Sequence, residues 1–263
     1  MPAVNHFERA YRAWDILVAQ AEAGRPITYK DLARHLGIHH RPARYLLAPI
    51  QDYCMGAPQL PPLTILVVDQ FGNPGAGFIA WSRDNLEEGR QRVFSYPWGN
   101  EENPFQFAAN GQTYASLIAG LLSGERSTAD TYAVVRVRGS AQLLFRAMMM
   151  ELYGESCAFS DISTPTVVEA AHILPWSECD PGQRLDPRNG LVLSVLHHRL
   201  FDSGMITLED DYSIRVTSEL LQGTNNSPVH DALFSQLDGK RMRLPRNPAH
   251  WPAVEYIKRR HQA

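Results

Sequence analysis

The chain has 263 residues, 44% hydrophobic and 20% charged, with 25 Lys and Arg against 28 Asp and Glu, a formal net charge of -3. These values exclude a disordered, collagen-like or coiled-coil chain and argue against a strongly basic polyanion binder. Three scattered cysteines, an opening stretch that carries Glu8 and no apolar core, and apolar runs as short as Leu63–Val68 predict a soluble cytoplasmic protein with no membrane association.

Asn5 is placed to cap a first helix through Ala23, with Ala10, Trp14, Leu17 and Val18 on one face and Gly24 ending it. Thr28 caps a short helix over Tyr29–Leu36, stopped by Gly37, and a third helix starts near Arg41-Pro42 and runs to about Tyr53. After the proline-rich break Pro58–Pro62, Leu63–Val68 reads as a strand, Gly72–Gly75 as a turn and Gly77–Trp81 as the return strand of a hairpin. Residues 83–130 read as loops with one helix, Thr113–Leu122. A strand over Ala133–Val137 and a helix over Ser140–Tyr153, ended by Gly154, follow.

Charge is unevenly spread. The acidic excess sits mainly in residues 61–130, whereas after position 239 seven Lys and Arg face only Glu255.

The chemistry-bearing segment is 157–208. Val167–Ile173 is a β-like run closed by Pro175, so His172 sits near a strand end, and Asn189-Gly190 is a turn signal before a short strand, Leu191–Leu193. Asn189 also suits a plain turn residue. Helical spacing then pairs Leu196 with Leu200 as a buried face and puts His198 and Asp202 one turn apart on another. An i,i+4 His/Asp pair can chelate one divalent cation. The neighbouring His197 reads as a spare surface imidazole or, with the register shifted by one, as the ligand; its i,i+4 partner is Phe201 and not a carboxylate, which favours His198. A strand-end imidazole, a turn asparagine and a helix-borne chelate suit phosphodiester hydrolysis with one metal ion.

Three ordered blocks, Ala171-His-Ile-Leu-Pro-Trp176, Leu185-Asp-Pro-Arg-Asn-Gly-Leu-Val-Leu193 and Leu200-Phe-Asp-Ser-Gly-Met-Ile206, resemble the HNH endonucleases, the ββα-metal nuclease family, in particular a restriction-type subgroup. The likeness takes in the preceding helix, Cys157-Ala-Phe-Ser160 and the tail through His261. The resemblance implies His172 as general base, Asn189 as the residue that holds the loop between the two strands, and His198 and Asp202 as metal ligands. It also implies 3′-hydroxyl and 5′-phosphate products and a restriction or defence role. Many members carry an Asp or His ligand directly before the base; here that residue is Ala171, so water, phosphate or Glu169 must complete the set. Mg²⁺ is the expected ion by availability, with Mn²⁺ or Ni²⁺ also suited. No pair of Cys-x-x-Cys motifs brackets the site, so no structural zinc is expected.

At the front, Thr28-Tyr-Lys-Asp-Leu-Ala-Arg34, Gly37 and Arg41-Pro-Ala-Arg44 followed by a hairpin have the layout of a winged helix-turn-helix, which puts His39, His40, Arg41 and Arg44 against DNA. Ile27–Ala33 is also loosely similar to alkyltransferase-like proteins, but the Pro-Cys-His-Arg nucleophile motif is missing, so alkyl transfer is not supported. Lys240, Arg241, Arg243 and Arg246 suit phosphate contacts.

The expected architecture is α+β: a winged-helix-like DNA-binding domain over 1–82, a connector over 83–130 and a ββα-metal nuclease domain over 131–263. The expected activity is metal-dependent hydrolysis of double-stranded DNA, with double-strand cutting favouring a homodimer. The alternative is a DNA-binding regulator or modified-base reader built on a degenerate nuclease fold.

Overall fold

A computed structural model describes residues 4–39, 43–57, 59–135, 138–222 and 228–262. The chain divides into two compact units, Met1–Leu117 with Ala133–Leu143, and Ile118–Tyr132 with Leu144–Ala263. Helices and small sheets are mixed in it, and no described helix is long and apolar enough to cross a membrane.

In the first unit, helix α1 (His6–Glu22) starts at Asn5, whose side chain accepts from the Phe7 and Glu8 amides. Its buried stripe of Ala10, Ala13, Trp14, Leu17 and Ala21 packs Trp14 edge-on against Tyr53, Trp98 and Phe105. A two-residue strand β1 (Ile27–Thr28) leads into α2 (Tyr29–Leu36), where Thr28 and Asp31 form a reciprocal cap and Gly37 takes the left-handed C-cap conformation. Helix α3 (Ala43–Gly56) completes the three helices expected.

The expected hairpin does not form. Leu63–Leu66 is a 3-10 turn, and only Val67–Val68 (β2) is a strand, paired in parallel with β1. Residues 63–68 are all buried, so the run carries no alternation to signal a half-exposed strand. No strand forms over Gly77–Trp81. Side chains take the place of a pairing strand there: Arg83 donates to the carbonyls of Pro74, Gly75 and Phe78, and Gln51 brackets the Gly77 carbonyl and the Ile79 amide. The three-helix front therefore has no β-wing among the described residues. Helix α4 (Leu86–Ser95), unforeseen from the sequence, and α5 (Tyr114–Ser123) follow.

The strand expected at Ala133–Val137 is instead the end of helix α6 (Thr128–Val135) as far as the chain is described. Its start is fixed by Ser127 and Asp130, whose side chains lie 2.7 Å apart while the Ser127 hydroxyl accepts the Asp130 amide. This cap outweighs the β-branched residues that follow. Helix α7 (Arg138–Tyr153) comes next.

The second unit holds an antiparallel pair, β3 (Val168–His172) and β4 (Gly190–Ser194), in which His172 lies opposite Gly190. Helix α8 (Val195–Asp202) starts at once, with the Ser194 hydroxyl accepting the His197 amide. Its buried face is His197 and Phe201, not Leu196 and Leu200, and Leu196 is 40% exposed. His197 is thus no surface imidazole: Nδ1 meets Cys157 Sγ at 3.3 Å and Nε2 lies 3.4 Å from the Leu233 carbonyl, so both ring nitrogens have partners inside. A hairpin of β5 (Ile206–Leu208) and β6 (Ile214–Val216), then α9 (Ser218–Gln222), α10 (Pro228–Leu233) and α11 (Val254–Arg260), complete the unit.

Gly190 is needed for close packing, not for a turn. Its backbone is extended, at φ -136°, and a Cβ there would stand 2.6 Å from Met149 Sδ and 2.7 Å from Phe145 Cζ. Gly190→Ala is expected to cost about 1–3 kcal/mol through overpacking. Thermal unfolding checks this, and an unchanged midpoint would contradict the packing.

Candidate active site

His172 ends β3 with its ring stacked on Phe145 of α7 at 3.8 Å and 14°, and edge-on to Trp176 at 5.4 Å. Nε2 lies 3.0 Å from the Arg184 carbonyl, which can only accept. The proton therefore sits on Nε2, and Nδ1, which makes no hydrogen bond among the described residues, carries the lone pair. Burial lowers the imidazole to about 4, with the Arg184 carbonyl opposing and His198 adding to the shift. The ring is neutral at physiological pH.

This shift couples to stability. An unfolded imidazole titrates near 6.5 and the folded one near 4, so the unfolded chain binds more protons between those values. Stability falls as pH drops through that window, by on the order of 3 kcal/mol for this group. Urea unfolding at about pH 7 and about pH 4.5 is expected to show a smaller loss in His172→Gln than in the wild type. Equal losses in the two proteins would contradict the shift.

Asn189 is fully buried in the turn before β4. Its Oδ1 accepts the Leu174 amide at 2.8 Å, and its Nδ2 donates to the Gln183 carbonyl at 3.1 Å and Cys179 Sγ at 3.2 Å. Its backbone carbonyl accepts the Ile173 amide. One side chain thus ties the residues just after His172 to the end of the loop that delivers the Arg184 carbonyl.

On α8, His198 Nε2 and Asp202 Oδ2 are 3.4 Å apart, and His198 Nδ1 is 2.8 Å from Glu169 Oε2. Glu169 and Ala171 share a face of β3 by the two-residue period. Among the described residues no three His, Cys, Asp or Glu side chains are grouped so as to hold a metal ion. Two donors fit such an ion: ligands at about 2.0–2.2 Å from one cation stand about 3.0–3.4 Å from each other. A nitrogen and a carboxylate oxygen suit first-row divalent ions, and Mg²⁺ commonly keeps several waters beside one or two carboxylates. Glu169 approaches the opposite edge of the imidazole from Nε2, so in this arrangement it orients His198 and does not share an ion with it.

The other residues singled out in the sequence are dispersed. His39 is exposed after α2; His40, Arg41 and the side chain of Arg44 lie outside the described residues. Lys240 and Arg246 are exposed, and Arg241 stacks 5.8 Å over the rings of Tyr212 and Trp251. Arg243 is exposed and donates to the carbonyls of Cys157 and Ser160. Cys157 is buried, which raises its thiol, but its contacts with His197 and nearby backbone groups outweigh this and bring it down to about 6.

Sequence reasoning missed the supports of the site. Phe145 and Arg184 hold the His172 ring, and Arg260 reaches the far end of α8. Asp186 accepts from Arg188 and from the Tyr256 hydroxyl at 2.9 Å, which anchors α11. The Leu-Asp-Pro run marked Asp186, but nothing in the sequence pairs it with a tyrosine 70 positions on.

Residues 157–209 match the family model described as HNH endonuclease, a segment that takes in β3, β4, α8 and β5. No curated protein matches the chain. An HNH segment points to nuclease activity on nucleic acid with DNA as substrate, and nucleases of this kind generally use a divalent metal.

Proposed function

We propose that this chain is a metal-dependent endonuclease that hydrolyses double-stranded DNA from β3, β4 and α8, in a restriction or defence role. One observation carries the reading. Strand β3 presents an imidazole whose Nε2 is committed to a carbonyl and whose Nδ1 is unbonded among the described residues, and α8, which follows its partner strand, presents a His198–Asp202 donor pair 3.4 Å apart.

In this reading Nδ1 of His172 takes a proton from water as the water oxygen bonds to phosphorus. The P–O3′ bond breaks, leaving a 5′-phosphate and a 3′-oxygen that is protonated from solvent. The Arg184 carbonyl holds the tautomer beforehand and accepts from the imidazolium afterwards. Phe145 and Trp176 fix the ring so that little reorientation is needed at the moment of transfer. His198 and Asp202 would hold the cation, which when bound supplies positive charge against that developing on the phosphoryl and leaving oxygens. Mg²⁺ is the expected ion and Mn²⁺ a substitute. His39, His40, Arg41 and Arg44 at the front, and Lys240, Arg241 and Arg246 near the end, would contact DNA, with a homodimer placing one site on each strand.

The test is incubation of supercoiled plasmid, plain and methylated, with the full chain and Mg²⁺ or Mn²⁺. The expected products are nicked and linear DNA with 5′-phosphate ends, and no cleavage in EDTA. No metal-dependent cleavage of any DNA would overturn the nuclease reading in favour of a binding protein on a degenerate fold.

A further inference from the structure

A site with two protein ligands constrains them weakly. Asp202's side chain is 60% exposed and His198 can turn about its own side-chain bonds. Something else must keep Nε2 and Oδ2 aimed at one point. Two residues on either side of the pair do this. Behind His198, the Glu169 carboxylate accepts from Nδ1 at 2.8 Å, which puts the proton on that nitrogen and leaves the Nε2 lone pair facing Asp202. Beyond Asp202, Arg260 of α11 stands 3.7 Å from Oδ1, the oxygen that does not face His198.

Arg260 is itself immobilised. Its side chain is only 13% exposed, Nη1 donates to the Ile173 carbonyl at 2.7 Å, Nη2 donates to the Phe201 carbonyl, and the guanidinium lies 3.8 Å over the Phe201 ring. Ile173 follows the base in sequence and Phe201 precedes Asp202. One guanidinium therefore spans the strand that carries His172 and the helix that carries the donor pair. Arg260 lies outside the segment matched by the family model.

We propose that Glu169 and Arg260 are positioning residues that align His198 Nε2 and Asp202 Oδ2 on a common divalent cation. The inference rests on the nuclease reading above but is read by metal binding, without turnover. Arginine differs from lysine here because one ammonium cannot reproduce a fork on two carbonyls and a stack on a ring. Arg260→Lys keeps the charge and so separates geometry from electrostatics. Glu169→Gln keeps a hydrogen-bond acceptor for Nδ1 and removes the charge that makes the imidazole a better donor.

The experiment is Mn²⁺ titration of the full-length wild type, Glu169→Gln, Arg260→Lys and Asp202→Asn, read by electron paramagnetic resonance of the free ion well below each melting midpoint. Glu169→Gln and Arg260→Lys are expected to weaken Mn²⁺ binding about tenfold each, and Asp202→Asn more. Glu169's side chain is 46% exposed, so its replacement should leave the melting midpoint in place. If both variants bind Mn²⁺ within about twofold of the wild type while Asp202→Asn does not, the positioning roles are overturned and the nuclease reading stands. If the wild type binds no Mn²⁺, both are overturned.

Discussion

Replacing His172 with alanine is expected to lower metal-dependent cleavage about a thousandfold, the middle of the range for removal of a general base. The expectation follows from the ring's surroundings. Among the described residues the two neighbouring imidazoles do not stand in its place: His197 is turned inward to Cys157 and the Leu233 carbonyl, and His198 is engaged by Glu169 and Asp202. The variant also loses the stack on Phe145 and leaves the Arg184 carbonyl without its partner, together about 2–4 kcal/mol. Rates should therefore be compared at a temperature where circular dichroism shows the variant folded. Cleavage within about tenfold of the wild type would mean that another group takes the proton.

Asn189→Ala is expected to destabilise the second unit strongly. It strands the buried Leu174 amide and leaves the part-buried Gln183 carbonyl without its donor. Each orphan costs about 1–3 kcal/mol, so a loss of about 4 kcal/mol and a fall of roughly 10 °C in Tm follow. The loop that presents the Arg184 carbonyl would loosen with it, and cleavage should drop even in the folded fraction. Asn189→Asp restores the acceptor for Leu174 but not the donor for Gln183, and should not rescue. An unchanged Tm in either variant would contradict the assigned hydrogen bonds.

Much of the candidate site's geometry was legible because its determinants are local. A strand-end histidine, an Asn-Gly step and a histidine four residues before an aspartate are visible as spacing, and the structure puts His172, His198 and Asp202 on adjacent elements. Glu169 and Arg260 were not legible as supports, because their partners are 29 and 59 or more residues away in sequence. Arg260 carried a surface signal, a basic run at the end of a helix, that gave no hint of its inward bonds. The glycine after Asn189 was read as a turn residue although its role is to admit Phe145 and Met149.

In the fold, the first three helices were legible from caps and stops. The expected hairpin does not form, because Leu63–Val68 is buried on every side and because Arg83 and Gln51 satisfy backbone groups that a strand would otherwise satisfy. At Ala133–Val137 the apolar run favoured a strand, while the decisive signal, Ser127-Thr-Ala-Asp130, lay just upstream.

The most direct measurement of the central claim is single-turnover cleavage of an end-labelled duplex with Mn²⁺ by wild type, His172→Ala, and His172→Ala supplied with free imidazole. With His172 as the base, the variant is slow and imidazole restores part of the rate, increasingly so as pH rises through the pKa of free imidazole. Wild-type rates in the variant, or a slow variant that imidazole does not help at any pH, would contradict it.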